Sequence, residues 1–307
     1  MTEVRHILLI THVGRKDAIT AALEACEQLT EAGITPVMTS DELGAVRGQA
    51  AGGQTLAVNA VAELGKDCEL YDLELVVVLG GDGTILKAAE AVREAQIPII
   101  GINLGHVGFL AESERDGLRD SIKRIVARDY VVNELLTLDI EVLVAGEVVY
   151  RTWALNEATV EKSSRERMLE VVIEVDRRPL SGFGCDGVVM ATPTGSTAYA
   201  FSAGGPVVWP NVEALLMVPL SAHALFARPL VVNPDSLLAV EVLQRSAGHG
   251  VLWCDGRRST ELAPGSRVEA HRSNKSVRLA RLHHGPFTDR LVKKFALPVD
   301  GWRGPKA

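Results

Sequence analysis

The sequence is short of paired cysteines. Cys26, Cys68, Cys185 and Cys254 are scattered, with no C-x-x-C pair. That spacing fits neither a zinc site nor a disulfide framework and suggests a reducing cytosol. No run of about 18 apolar residues occurs, the length a membrane-spanning helix needs, so no membrane partner is expected. The opening stretch MTEVRHILLITHVG is not a signal peptide: its apolar part is short, charges precede it, and no small-residue cleavage site follows. There is no surplus of positive charge. A net charge of −7 argues against a nucleic-acid surface, which needs a basic face to displace counterions. Also missing are the G-x-x-x-x-G-K-[ST] loop and the G-x-S-x-G elbow, which removes P-loop enzymes and a hydrolase nucleophile at Ser196. The histidines lack metal-ligand spacing, so His223, His283 and His284 read as surface or satisfied core residues. No internal repeat or low-complexity segment is visible.

What is present is a globular composition, 47% hydrophobic and 23% charged over 307 residues, enough for two domains of roughly 150 residues each. The first third alternates strand and helix patterns. HILLIT reads as a buried strand, Lys16 to Ala32 carries helical spacing, ITPVMT is a second strand, and LELVVVL is apolar on both faces like a central strand of a parallel sheet. Residues 40 to 70 are ambiguous. A helix from Thr84 and the strand IPIIGI follow. Past about residue 128 the chain becomes short strands separated by turn signals such as Ala145-Gly146, Arg178-Pro179 and Asp255-Gly256. The expected fold is therefore a doubly wound α/β N-terminal domain plus an all-β C-terminal domain, layered or sandwich-like. The boundaries are 1–128, 129–284, and a tail 285–307 that is helical at first and packs back on the first domain.

Three motifs carry chemistry. In GGDGT, glycines follow a central strand and open a helix, at the carboxyl edge where α/β sheets bind ligands. Glycines let phosphates approach the backbone, and the helix N-terminus adds positive potential. Asp82 or Thr84 could act only as a helix cap. The density of small and polar residues favours a site, in which Asp82 either accepts a proton from an attacking hydroxyl or helps hold the magnesium that neutralises phosphates. The second motif is ATPTGSTAYAFSAGGP. Its hydroxyls on Thr192, Thr194, Ser196, Thr197 and Ser202, and the ring of Tyr199, suit a nucleoside better than a plain polar loop. The third is the pair Asn156-Glu157 in LNEATVE. Strand neighbours face opposite sides, so the pair can address one ligand only at a strand end or bulge; alone it reads as surface decoration. GFGCDG fits G-x-G-x-x-G but leads into a strand rather than a helix, which leaves Asp186 as its only site candidate.

Assembled, these residues resemble the NAD kinase family. GGDGT, NE, GCDGVVMATPTGSTAYAFSAGGP, HALFARPLVV and CDGRR occur in the family's order, from about residue 4 to 304. GGDGT alone also occurs in diacylglycerol-type lipid kinases, and phosphofructokinases have a similar loop; the block at 184–206 is the specific part. The resemblance implies transfer of the γ-phosphoryl group of ATP, and in some bacterial members of inorganic polyphosphate, to the adenosine 2′-hydroxyl of NAD. It implies an α/β domain and a β-sandwich-like domain with the dinucleotide between them, in a cytoplasmic homodimer or homotetramer using Mg2+ or another divalent cation carried by ATP. Residue by residue, it makes Asp82 the catalytic aspartate and Gly83 a dinucleotide contact. Lys87 matches a basic position in the following helix, and Asn156 and Glu157 match the pair that holds the substrate. Arg167 or Arg165 matches a basic contact and Asp186 an acidic one. Thr197, Ala198, Tyr199 and Ser202 match the adenosine pocket. His106 stands where many relatives have Asn, Arg or Lys. A lipid kinase on the same scaffold would need an apolar entry groove, which nothing in the sequence marks. A non-catalytic NADP sensor would have no use for a proton acceptor at Asp82.

Overall fold

The computed structural model describes residues 4–50, 58–104, 108–111, 117–164, 167–282 and 285–299. His106, Arg165, His283 and His284 lie outside them. The chain divides into two compact units, residues 1–134 with 277–307, and residues 135–276. Among the described residues no helix is long and apolar enough to cross a membrane.

The first unit is built on a seven-stranded sheet. Its strands are β1 (His6–Thr11), β2 (Thr35–Met38), β3 (Ala62–Glu63), β4 (Leu73–Leu79), β5 (Ile99–Ile102), β6 (Val131–Leu135) and, from late in the chain, β19 (Val277–Arg281), in the order β3-β2-β1-β4-β5-β19-β6. Pairing is parallel from β3 through to β19. Helix α1 (Lys16–Glu31) packs Ile19, Leu23, Cys26 and Leu29 onto one face. It shares a core there with Ile7 and Leu9 of β1, Leu43 and Val46 of α2 (Ser40–Gln49), and Ile122 and Ile125 of α4 (Leu118–Val126). Between α2 and α4 comes α3 (Asp82–Val92), which takes the other face. Its Ile85 sits against Gly101 so closely that a Cβ at Gly101 would collide with it. Successive strands run outward to one side from β1 and to the other from β4. The strand order thus reverses between β1 and β4, whose last residues, Thr11 and Leu79, are paired. Doubly wound sheets bind ligands at the carboxyl ends of such a reversal.

The second unit has two six-stranded antiparallel sheets. Its strands are β7 (Leu138–Val144), β8 (Glu147–Ala154), β9 (Glu157–Lys162), β10 (Leu169–Val175), β11 (Arg178–Cys185), β12 (Gly187–Ala191), β13 (Leu215–Leu220), β14 (Leu230–Val232), β15 (Leu238–Val242), β16 (Gly250–Cys254), β17 (Arg258–Leu262) and β18 (Ser266–Arg272). One sheet runs β11-β10-β15-β18-β7-β8 and the other β14-β13-β12-β9-β16-β17. Alternate residues of both, including Ile140, Val160, Val171, Met190, Val240 and Val268, make one buried core, as expected of a sandwich. The chain leaves one sheet for the other at Leu155-Asn156, between β8 and β9, and again at Asp186, between β11 and β12.

Two expectations change. SVRLARL was expected in the β-rich part, to residue 284; as β19 it pairs with β5 in the first unit's sheet, and the second unit ends at Ser276. Its alternating pattern suits either partner, so pattern alone could not choose. The helix after GGDGT begins at Asp82 rather than Thr84. In the tail, α6 (Phe287–Phe295) follows α5 (Tyr199–Ser202) in chain order. Phe287 and Phe295 place their rings 6.0 and 5.8 Å from that of Phe109.

Candidate functional site

In the first unit GGDGT occupies the carboxyl end of β4, at the strand-order reversal. Gly81 is the N-cap of α3, and Asp82 is the helix's first residue without a capping bond of its own. The Asp82 carboxylate looks outward from its helix instead. Its Oδ2 accepts the Phe109 amide at 3.0 Å and its Oδ1 the Leu110 amide at 3.1 Å. Gly108 lies flush against that carboxylate, where any Cβ would overlap it. The carboxylate therefore ties the loop after β5 to the start of α3. Gly80 is needed for a similar reason: a Cβ there would press on the Thr84 hydroxyl. Gly83 is exposed in the first turn of α3. One turn on, Lys87 is half-exposed, with Nζ 3.4 Å from Oε1 of the fully buried Glu42. A carboxylate can accept about four hydrogen bonds, so Asp82 keeps lone pairs for a hydroxyl beyond its two amides.

The second unit gathers the other motifs around its sheet crossings. Asn156 fills the break between β8 and β9 and Glu157 opens β9, so the pair does sit at a strand end. The reason for the break is Asp255, a buried residue in the turn after β16, in left-handed backbone with φ 53°. Its carboxylate accepts the amides of Leu155 at 2.9 Å, Asn156 at 2.7 Å and Glu157 at 3.4 Å. Arg258 pairs with the same carboxylate at 2.8 Å while its guanidinium stacks 4.5 Å over the Trp153 ring. Burial pushes the Asp255 carboxyl up, and the Leu155 and Asn156 amides and Arg258 hold it down. Glu157 is buried beside it and accepts the Tyr199 amide at 3.4 Å. Desolvation first, and the neighbouring Asp255 charge second, raise its carboxyl to about 8.

The loop 191–206 docks on this break. Thr192 donates its amide to the Asn156 carbonyl at 3.0 Å and its hydroxyl to the Leu155 carbonyl at 2.6 Å. Gly195 lies against the Asn156 carbonyl with no room for a Cβ. Ser196 is fully buried, donating to Pro193 O at 2.6 Å and accepting the Val208 amide at 3.0 Å. The expectation that Thr192 and Ser196 offer hydroxyls to a ligand is thus corrected: both are spent on backbone groups, Thr192 on Leu155 and Ser196 on Pro193 and Val208. Thr197 and Ala198 are partly accessible, and Tyr199 and Ser202 are exposed. Burial first, and the Glu161 carboxylate of β9 next, raise the Tyr199 hydroxyl above its ordinary value. Asp186, at the second crossing, pairs with Lys162 at 2.5 Å, and that bond holds its carboxyl below the usual range. β9 pairs antiparallel with β12, with Glu157 opposite Ala191 and Glu161 opposite Gly187, so Asn156 and Glu157 meet the loop that follows β12 at one end of the second sheet, whereas Asp186, beside Lys162, lies at the other end of the same two strands. Arg167 is placed elsewhere. It precedes β10 on the other sheet, lining a cavity of about 580 Å³ with Glu170, Gly182, Gly184 and Arg245.

Sequence reasoning missed Glu42, Glu161, Lys162, Asp255 and Arg258 as contributors. Only Glu42 had a readable signal, the Thr39-x-x-Glu42 capping box ahead of α2. CDGRR was noticed without a role.

Two family models match the chain: the ATP-NAD kinase N-terminal domain over residues 7–130, and the ATP-NAD kinase C-terminal domain over residues 155–282. A Leifsonia xyli protein named NAD kinase is 62% identical over 305 residues, 99% of each chain. The chain belongs to the ATP-NAD kinase family. A Thermobifida fusca NAD kinase is 58% identical over all of this chain and 94% of its own. Among solved structures, yeast NADH kinase complexed with NADH superposes with a TM-score of 0.86 at 20% identity, covering 97% of this chain and 89% of its own. An NAD kinase from Archaeoglobus fulgidus in complex with ATP gives 0.69 at 22%, covering 96% and 100%. At those identities the two structures establish the shared fold. The ATP-NAD kinase C-terminal model runs through β19, so the family's sequence division cuts across the sheet that β19 completes.

Proposed function

We infer that this protein is an NAD kinase, phosphorylating NAD to NADP with ATP. The observation that carries the reading is the 62% identity to an NAD kinase across 99% of both chains. GGDGT at a sheet's strand-order reversal agrees with it.

The roles follow from the residues' chemistry. Asp82 accepts the proton of the adenosine 2′-hydroxyl as that oxygen bonds to the γ-phosphorus and the bond to the β,γ-bridging oxygen breaks, releasing ADP. Little covalent chemistry is needed, so positioning and charge neutralisation dominate. Gly83 leaves the first turn of α3 open to the dinucleotide, and Lys87 offers its ammonium to donor phosphates. Asn156 and Glu157 hold the substrate with their amide and carboxyl. Tyr199 presents its ring to the adenine, and Thr197, Ala198 and Ser202 complete the adenosine pocket. Asp186 supplies an acidic contact and Arg167 a basic one. Mg2+ or another divalent cation, carried on the ATP, would supply charge neutralisation at the phosphate oxygens. Among the described residues no group of three His, Cys, Asp or Glu could cage it, whereas Asp82, the carboxylate of the glycine loop, is an oxygen donor that suits one of its waters. Inorganic polyphosphate is assigned as a second donor, and a cytoplasmic homodimer or homotetramer as the working form.

The test is NAD plus Mg-ATP, read with an NADP-specific dehydrogenase. NADP should accumulate, and an NAD analogue lacking the adenosine 2′-hydroxyl should bind yet take no phosphate. Consumption of ATP with diacylglycerol but not NAD would assign a lipid kinase. Tight NADP binding without turnover would assign a sensor.

A further inference from the structure

Glu42 does more than a cap requires. As the third residue of α2 it closes a capping box with Thr39, whose amide and hydroxyl reach its Oε2 at 3.4 and 2.7 Å. Those bonds satisfy the cap, yet the other oxygen is also engaged. Oε1 accepts the amide of Thr11, the last residue of β1, at 3.3 Å, and lies 3.4 Å from Lys87 Nζ. Capping glutamates need no burial, but Glu42 is 0% exposed. A buried carboxylate is costly unless paired, and its cationic partner comes from the opposite side of the sheet. Helix α2 belongs to the core with Ile7 and Leu9, whereas α3 packs on the face carrying Gly101. The Glu42–Lys87 pair therefore straddles the carboxyl edge where β1 and β4 meet, one turn along α3 from Asp82.

We propose that Glu42 is a positioning residue for Lys87: its buried carboxylate draws the ammonium across the strand-order reversal and holds it where donor phosphates arrive. The inference rests on the assignment of Lys87 to donor phosphates made above. A lysine has three N–H donors; one goes to Glu42, and the half-exposed ammonium keeps others for phosphate oxygens. Without the anchor, the four-carbon stem samples many rotamers, and each must be frozen out on ATP binding.

The experiment is a double-mutant cycle on the full-length enzyme with Glu42→Gln, Lys87→Met and their combination, measuring KM for Mg-ATP, KM for NAD, kcat and melting temperature. Glutamine also serves in a capping box. Glu42→Gln should raise KM for Mg-ATP about two- to five-fold, the range of a partly exposed ion pair, with KM for NAD unchanged. In the Lys87→Met background that rise should vanish while any drop in melting temperature remains. The same rise in both backgrounds, or joint changes in kcat and both KM values, would overturn the proposal and leave Glu42 a structural cap. If Lys87→Met itself leaves KM for Mg-ATP unchanged, the phosphate assignment of Lys87 fails first, and the proposal with it. Should Glu42→Gln fold poorly, Glu42→Asp keeps the charge but retracts it by one methylene, and the same dependence on Lys87 is required.

Discussion

Asp82→Asn separates chemistry from tethering at the centre of the site. The carboxylate accepts two amides, one on each oxygen. Asparagine keeps one acceptor and turns an NH2 group toward the other amide, so one charge-assisted bond is lost and one backbone N–H is left facing a donor. Hydrogen bonds to charged groups contribute about 1.5–3 kcal/mol. Asp82 is partly accessible to water, which favours the lower end, a loss of roughly 1–2 kcal/mol. For a unit of this size that lowers the melting temperature by about 2–8 °C. Removal of a positioned general base costs about 10²- to 10⁴-fold in turnover, far beyond what this destabilisation causes below the melting transition. The assay measures melting temperature, NAD dissociation constant and kcat on one preparation. Gly108→Ala is the control, because its Cβ displaces the same carboxylate without removing it. The expected order of turnover is parent, then Gly108→Ala, then Asp82→Asn, with NAD affinity largely kept in the last. If Asp82→Asn loses stability but turns over within about tenfold of the parent, below the general-base range, the aspartate is a tether and the mechanism is wrong. Lost turnover with lost NAD binding would make it a positioning group.

Two further outcomes follow from the second unit. Glu157 has its carboxyl raised from the ordinary 4.5 to about 8. Below 4.5 both folded and unfolded chains hold the proton; between 4.5 and about 8 only the folded chain does, so stability falls as pH rises and the loss is complete above about 8. Glu157→Gln should flatten that decline in melting temperature between pH 4.5 and 9, and parallel curves for parent and variant would contradict the assigned shift. Gly195→Ala places a Cβ against the Asn156 carbonyl and should raise KM for NAD by pushing the loop off the Asn156-Glu157 break; an unchanged KM would show that loop and pair move independently.

Much of this was legible in the chain. An apolar run such as LELVVVL marks a strand buried on both faces, and glycines before a helical pattern mark the edge of a parallel sheet. The all-β texture after residue 128 announced the sandwich, because each strand alternates between core and solvent. Less legible was which hydroxyls are free. Thr192, Ser196 and Thr197 look like Ser202 in sequence, and only the fold shows that all three donate their hydroxyls to backbone carbonyls. Asp255 was obscure for a related reason: its partners are the main-chain amides of residues about 100 positions earlier, and main-chain donors leave no mark on side-chain pattern. Glu42 lay in a stretch with weak periodicity, where the capping box was the one signal.

β19 lies between β5 and β6 in the finished sheet, although residues 136–276 separate it from β6 in the chain. During synthesis, β1 to β5 leave the ribosome long before the strand that covers the edge of β5. Until residue 277 and its neighbours emerge, that edge stays a row of unpaired backbone groups, open to any passing strand. The sandwich, contiguous in sequence, has all its strands available earlier. The domain that begins the chain is therefore the last to be completed, and a message truncated before residue 277 yields a sandwich attached to an unfinished, aggregation-prone sheet.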